Sequence, residues 1–240
     1  GIAVGTYTKT STDGVTWVAR TTASSDWYNL AFGNDILVST SITSNTTVGG
    51  SSVDGITWIA RTMPAAGASR GWYGCSFGNG IFVATTGGGS TTVAASSTDG
   101  ISWTSRTIGS GDWRSVAFGN GTFIAVGYGS DSTQLSTDGV NWISGSTLPV
   151  SSNWIDITYD STLNRFVAIS NTSGTIAAYS DDNGLNWTSC TLPTSTTWRS
   201  ICSNGLGKFV AVANESNTYA AYSNDGITWS GSTLPSTSTW

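Results

Sequence analysis

The chain has 240 residues and a formal net charge of −5, from nine Lys and Arg against fourteen Asp and Glu. It contains no His and a single Glu, Glu215, whereas 38 Ser and 38 Thr together make up about a third of it. The histidine bases, glutamate pairs and lysine nucleophiles on which most enzymes depend are therefore absent or scarce. Nine basic residues in an acidic chain neutralise few phosphates, so the composition also argues against a nucleic-acid partner.

The composition nevertheless predicts a folded chain. Twelve Trp, eight Tyr and seven Phe supply enough large apolar side chains for a packed core. No run of eighteen apolar residues occurs, which predicts no membrane insertion. Cys75, Cys190 and Cys202 lack a C-x-x-C spacing, so we expect buried free thiols, with a Cys190–Cys202 disulfide as the alternative.

The tryptophans reveal an internal repeat of about 42 residues. All twelve fall into two series with nearly constant spacing. The intervals of the first series are 41, 45, 39, 45 and 42 residues, and those of the second are 45, 41, 41, 44 and 42. The first series is Trp17, Trp58, Trp103, Trp142, Trp187 and Trp229; the second is Trp27, Trp72, Trp113, Trp154, Trp198 and Trp240.

A short polar turn precedes each tryptophan of the first series. Five copies read Asp-Gly-x-x-Trp, and the fifth copy in chain order is one residue longer, Asp182-Asn183-Gly184-Leu185-Asn186-Trp187. Such turns predict β-hairpins, because Gly accepts positive φ and the Asp carboxylate accepts hydrogen bonds from the amides of its own turn. The aspartates in question are Asp13, Asp54, Asp99, Asp138, Asp182 and Asp225.

Each repeat can be divided into four short strands, a to d. In the fourth repeat we predict strand a at 113–118, strand b at 122–127, strand c at 134–137 and strand d at 140–143. No segment shows an apolar period of 3.6 over three turns. The fold class is therefore predicted to be all-β.

Four-stranded antiparallel units repeated about every 42 residues are typical of a β-propeller. We predict a single six-bladed domain over 1–240, with repeats at about 1–26, 27–71, 72–112, 113–153, 154–197 and 198–240. The sequence begins within strand b of the first repeat, so we expect the first blade to lack its inner strand, strand a, in this chain. We expect the chain to be a piece of a longer protein.

The Ser-x-Asp-(x)-Gly-x-(Thr/Ser/Asn)-Trp turns resemble the Asp-box, or bacterial neuraminidase, repeat. That resemblance implies a propeller in which the box is a structural hairpin distant from the active centre. It also implies relatives among sialidases, other glycosidases and non-catalytic surface proteins. The longer phrase from Trp113 to Gly127, followed by Ser136-Thr137-Asp138-Gly139, is similar to repeats of phage tail and fibre proteins and of bacterial surface proteins.

Catalysis and metal binding are not expected. A sialidase-type site requires an arginine triad, a Tyr nucleophile with a Glu partner and an Asp acid. Here Arg20, Arg61 and Arg106 recur in register on strand d, and Glu215 has no second Glu for a carboxylate pair. The Asp181-Asp182-Asn183-Gly184 loop offers too few oxygens for calcium. We therefore predict no enzyme, no cofactor and no metal, with a sialidase-type hydrolase as the least favoured alternative.

The second tryptophan series is the candidate ligand site. These residues begin the inner strands near one mouth of the propeller, where they could stack on sugars while Arg114 and Arg199 orient hydroxyl groups. The alternative is that each Trp packs one blade against the next. We expect an extracellular, cell-surface or virion module that binds a glycan or surface receptor. A structural role in a fibre, decoration or surface assembly, through copies of itself or neighbouring proteins, is the alternative.

Overall fold

The computed structural model describes residues 2–3, 8–20, 26–43, 47–67, 70–214 and 218–234. These ranges contain 23 β-strands and no helix, in agreement with the predicted all-β class. Among them, no helix has the length and apolar character needed to cross a membrane. The chain divides into two compact units, one formed by 1–113 with 138–142 and the other by 114–137 with 143–240.

The strands up to residue 111 form three antiparallel sheets in which chain neighbours pair. The first sheet has three strands and the other two have four each. The first contains β1 (Ile2–Ala3), β2 (Thr8–Thr10) and β3 (Val18–Arg20). The second contains β4 (Trp27–Gly33), β5 (Ile36–Ser41), β6 (Val48–Ser52) and β7 (Ile59–Thr62), and the third contains β8 (Gly71–Gly78), β9 (Ile81–Gly87), β10 (Thr91–Ser97) and β11 (Thr104–Gly111).

The strands from residue 113 onward form three further four-stranded meanders, two of which are joined by pairing between β13 and β16. The joined pair contains β12 (Trp113–Gly119), β13 (Thr122–Ser130), β14 (Thr133–Ser136), β15 (Ile143–Ser144), β16 (Ser152–Asp160), β17 (Arg165–Ser170), β18 (Gly174–Ser180) and β19 (Thr188–Thr196). The separate sheet contains β20 (Trp198–Ser203), β21 (Phe209–Ala213), β22 (Tyr219–Ser223) and β23 (Ser230–Thr233).

Local turn chemistry explains why the strands end where they do. Asn120 and Gly121 have φ values of 44° and 77°, the left-handed pair that a two-residue type I′ hairpin needs, and they close strands a and b as predicted. Strand d, in contrast, begins later than predicted. In the fourth repeat Val140–Trp142 lie outside any strand, and β15 starts at Ile143. The Asp138 carboxylate holds the amides of Val140 and Asn141 in the turn, which delays the start of pairing.

The core is built mainly by strands a to c. Strand b of four successive repeats contributes a fully buried phenylalanine, Phe82, Phe123, Phe166 and Phe209. All three cysteines are free, so the Cys190–Cys202 disulfide is not formed. Cys75 and Cys190 are buried as predicted, but Cys202 is exposed. The prediction of a buried thiol was wrong for Cys202, whose side chain lies on the solvent side of β20.

Candidate functional site

The six Asp-Gly hairpins are structural units closed by their own aspartate. In the second repeat, Asp54 Oδ1 accepts hydrogen bonds from the backbone amides of Thr57 and Ile56, at 2.7 and 2.8 Å, and from Ser52 Oγ at 2.9 Å. These bonds stabilise the carboxylate and lower the pKa of Asp54 to about 2. The equivalent bonds recur at the other hairpin aspartates, Asp13, Asp99, Asp138, Asp182 and Asp225.

The first tryptophan series completes the same hairpins. The indole Nε1 of Trp17, Trp58 and Trp229 donates to the carbonyl of the hairpin glycine, at 3.2–3.3 Å. Trp58 and Trp229 are buried, whereas 41% of Trp17 is exposed. The remaining members, Trp103, Trp142 and Trp187, are half-buried. Trp17, Trp58 and Trp229 therefore fasten their turns to the ends of their own sheets, whereas Nε1 of Trp142 and of Trp187 is buried without a partner among the described residues.

The second tryptophan series is buried. Trp72, Trp113, Trp154 and Trp198 are 0% exposed and Trp27 is 3% exposed, and Trp240 lies outside the described residues. Nε1 of Trp113 donates to the Gly109 carbonyl at 2.7 Å and Nε1 of Trp154 to the Val150 carbonyl at 3.1 Å, whereas Nε1 of Trp27 and of Trp72 is buried without a partner among the described residues. Because these rings present no open face on which a sugar could stack, their geometry favours packing over direct contact with a ligand.

The residue that follows each buried tryptophan has a different environment. Between strands a and b the register shifts by one residue at this point, so that a β-bulge places the residue after Trp outside the regular ladder. Bulges of this kind redirect a side chain and are common beside functional sites. The bulged residues are Tyr28, Tyr73, Ile155 and Arg199, and Arg114 holds the same position in the fourth repeat.

These following residues are mostly aromatic or cationic and half-exposed; Ile155 alone is buried. In the first unit the rings of Tyr28 and Tyr73 pack edge to face with centroids 5.1 Å apart. In the second unit the guanidinium of Arg114 lies 4.5 Å from the ring centroid of Tyr128, a cation–π arrangement. The sequence analysis identified the two arginines but missed the three tyrosines. Tyr28 and Tyr73 hold the position after Trp, and Tyr128 lies near the end of β13.

A half-buried carboxylate, that of Asp156, lies beside this position in the second unit. Asp156 Oδ1 accepts from Ser115 Oγ and the Ile157 amide, at 2.8 and 3.0 Å. Its Oδ2 accepts from Ser200 Oγ and the Ile201 amide, at 2.8 and 2.9 Å. Burial raises the pKa of Asp156, and the four hydrogen bonds act in the opposite direction. Asp156 thus ties together the first strands of three successive repeats.

Loops at the same end of the strands are held by charged side chains. In the third repeat, Arg70 donates to the carbonyls of Gly88 and Ser90, at 2.8 and 3.1 Å. Asp112 accepts from the amides of Gly88 and Gly89, both at 3.0 Å. The loop between β9 and β10 is therefore fixed on both sides, as expected of a loop that presents a defined surface.

The residues weighed for hydrolysis and calcium have local partners. Nε of Arg20, Arg61 and Arg106 donates to a hydroxyl on strand c, at 2.7–2.8 Å. Asp181 pairs with Arg165 at 2.6 Å. Glu215 lies outside the described residues. Within the described ranges, no three His, Cys, Asp or Glu side chains converge as metal ligands would.

Comparisons with solved structures identify the fold. Virginiamycin B lyase from Staphylococcus aureus matches with a TM-score of 0.78 at 14% identity, over 98% of this chain and 84% of the lyase. YCF48 bound to D1 peptide matches with a TM-score of 0.62 at 17% identity, over 87% of this chain and 66% of YCF48. A chain of a nidogen–laminin complex matches with a TM-score of 0.65 at 12% identity, over 92% of this chain and 87% of that chain. The neighbours are β-propellers, so this chain has a β-propeller fold.

The same comparisons correct one prediction. A lyase is among the most similar structures, so the composition was not a sufficient reason to exclude enzymes. The prediction that the chain is not an enzyme was therefore wrong. The scaffold is one that an enzyme uses. Since the chain has no histidine, any reaction on this scaffold would depend on other groups. No protein-family model matches the sequence, and a search of curated proteins gave no match. Membership of the Asp-box family is not shown.

Proposed function

We propose that this protein is a binding module that recognises a glycan or a protein receptor through the residues after its buried tryptophans. One observation carries the proposal: the residue after the buried Trp is a half-exposed Tyr or Arg in four of five repeats, and in three of these four a β-bulge redirects its side chain. Tyr and Arg are the residue types that contribute most to recognition. The buried Trp beneath gives each of them a rigid support.

We further propose that the domain has six blades, each corresponding to one repeat. The support is one three-stranded sheet and five four-stranded meanders, each containing one hairpin of the Asp-Gly or Asp-Asn-Gly type. Such a scaffold holds the candidate binding residues on strands rather than on loops. We place the module outside a cell or on a virion, on the grounds of its low Lys content and Ser- and Thr-rich surface.

Two ligand classes fit these side chains. The neighbouring structures of YCF48 with D1 peptide and of nidogen with laminin are of propellers in contact with polypeptides. A glycan is supported by the pairing of aromatic rings with guanidinium groups, which together offer an apolar face and hydrogen-bond donors. The sequence prediction of a glycan ligand therefore stays a proposal, now attached to Tyr28, Tyr73, Arg114 and Arg199 rather than to the Trp rings.

A glycan array tests the proposal, with isothermal titration of each hit. We expect Tyr73→Ala and Arg199→Ala each to weaken a hit at least about tenfold, the loss of roughly 1.4 kcal/mol of contact energy. Tyr222→Ala is the matched control, since Tyr222 is a 49% exposed tyrosine on strand c. Binding that is equally tight in all three variants would refute the proposed surface. If no glycan on the array binds, the ligand would be a protein receptor, and its binding would be measured with the same variants.

A structural role in an assembly is the second candidate. The residue after the hairpin glycine is aliphatic in every repeat, and four of these side chains are strongly exposed: Val15 at 83%, Leu185 at 61%, Ile56 at 46% and Ile101 at 42%. Regularly spaced exposed aliphatic residues suit contacts with copies or neighbours. Light scattering tests this role. Self-association that is lost when these four residues become Ser would favour it.

A further inference from the structure

An open cavity of about 360 Å³ lies where the outer part of the first sheet meets the hairpin of the second. Hydroxyl side chains between residues 10 and 16 line it, together with the guanidinium of Arg20, the carboxylate of Asp54 and the aliphatic side chains of Val18 and Ile56. A second cavity of about 350 Å³ shares Arg20 and Ile56 and extends along Trp58. We call the first cavity the Arg20–Asp54 groove.

Arg20 is fixed at one end of its guanidinium only. Its Nε donates to Thr10 Oγ1 at 2.8 Å, which orients the plane of the group against strand β2. This is the one hydrogen bond of Arg20 within the described part of the chain, so its two terminal amino groups remain available as donors there. A guanidinium that is already held by Nε loses little entropy when it binds a ligand.

Asp54 is held in place by its own hairpin. Its Oδ1 accepts three hydrogen bonds there, and the side chain of Thr57 also hydrogen-bonds the carboxylate. The carboxylate is ionised at neutral pH, and the hairpin bonds stabilise this form further by lowering its pKa to about 2. The groove thus combines fixed donors, a fixed acceptor and several hydroxyls, and its two charges cancel.

This combination selects among ligand classes. An anion would be repelled by Asp54, and a cation by Arg20. A neutral ligand rich in hydroxyl groups can accept from the guanidinium and donate to the carboxylate, while Val18 and Ile56, 48% and 46% exposed, contact its C–H surface. The volume is within the range of small-ligand sites, which begins at about 300 Å³.

We propose that the Arg20–Asp54 groove binds a neutral pyranoside. The inference extends the proposed binding function to a second site, separate from the residues that follow the buried tryptophans. The chain also limits where such grooves occur. Arg61 and Arg106 repeat the Nε bond to a strand c hydroxyl, but the last three repeats have Gly145, Cys190 and Ser232 at this position.

Methyl NMR spectra of the whole chain, titrated with methyl glycosides of glucose, galactose, mannose and N-acetylglucosamine, test the proposal. We expect saturable shifts of the Val18 and Ile56 methyl signals with at least one glycoside. Leu185 is the internal control, because it holds the hairpin position of Ile56 and its preceding repeat has Gly145 in place of Arg20. Its signals should stay unchanged.

Variants assign the contacts. Arg20→Ala and Asp54→Asn should each weaken binding about tenfold, as expected for a lost charge-assisted hydrogen bond. Arg20→Lys, which keeps the charge but not the planar fork, should show the same loss. Ser232→Ala, at the equivalent position of the sixth repeat, is the matched control and should bind as the wild type does.

Silent Val18 and Ile56 signals with all four glycosides would overturn the proposal, as would unchanged affinity in Arg20→Ala. Tighter binding of a methyl glucuronide than of the glucoside would overturn the neutral ligand class. The two proposals fail separately. If array hits depend on Tyr73 and Arg199 but the Ile56 methyl signals do not shift, only the groove proposal is overturned. If the Ile56 signals shift and the shifts are unchanged in Tyr73→Ala and Arg199→Ala, only the groove proposal is supported.

Discussion

Removal of the Asp156 carboxylate is the sharpest test of how neighbouring repeats in the second unit are held together. Asp156→Ala leaves four donors without their acceptor: the hydroxyls of Ser115 and Ser200 and the amides of Ile157 and Ile201. The hydroxyls can rotate toward other acceptors, but the two amides are fixed by the backbone. Each of these part-buried amides that is left unpaired costs about 1–3 kcal/mol.

The expected loss is smaller than the sum of these costs. Taking the carboxylate out also removes the penalty of burying a charge, which opposes part of the loss. We therefore expect Asp156→Ala to lower the free energy of unfolding by about 2–4 kcal/mol. Ser200→Ala removes one donor from an acceptor that keeps three others, and should cost about 1 kcal/mol or less.

Urea unfolding followed by circular dichroism measures both variants. A shifted midpoint at constant slope identifies a change in stability rather than in the unfolded state. The double variant should lose less than the sum of the single losses, because Ser200 has no carboxylate left to bind. If Asp156→Ala unfolds within about 0.5 kcal/mol of the wild type, the carboxylate does not connect the three strands and the reasoning fails.

Three further predictions concern the tryptophans, the hairpins and the thiols. Trp113→Ala should cost about 3–5 kcal/mol in urea unfolding, and Trp17→Ala clearly less, because only Trp113 is fully buried; equal losses would contradict this. The pKa of Asp99 is lowered to about 2 by hairpin hydrogen bonds, so its contribution to stability should be present above pH 4 and disappear as the pH falls toward 2; an acid unfolding curve that Asp99→Asn leaves unchanged would speak against it. A thiol reagent should modify Cys202 in the native protein and the two buried cysteines only after unfolding, since burial raises the pKa of both to about 12; rapid reaction of all three would be incompatible with their positions.

Local features of this protein could be predicted from the sequence because they depend on residues close in the chain. The all-β class follows from short strands bounded by turn residues, and the a–b turn at Asn120 and Gly121 follows from the need for positive φ at two consecutive positions. The start of strand d was predicted too early. In the fourth repeat the Asp138 carboxylate competes for the amides of Val140 and Asn141, and this competition outweighs the β-propensity of Val140.

The repeat spacing of the tryptophans, the Asp-Gly hairpins and the four-strand pattern were determined by the sequence itself, since each is encoded within about 42 residues. The tertiary structure alone decided which of the two tryptophan series is fully buried, because burial depends on what packs against a strand. It also redirected the side chains after Trp through a bulge, joined Asp156 to Ser115 and Ser200, and placed Arg20 in the same cavity as Asp54. These partners lie 34 to 44 residues apart in the chain, a distance over which a local pattern carries no information about contact.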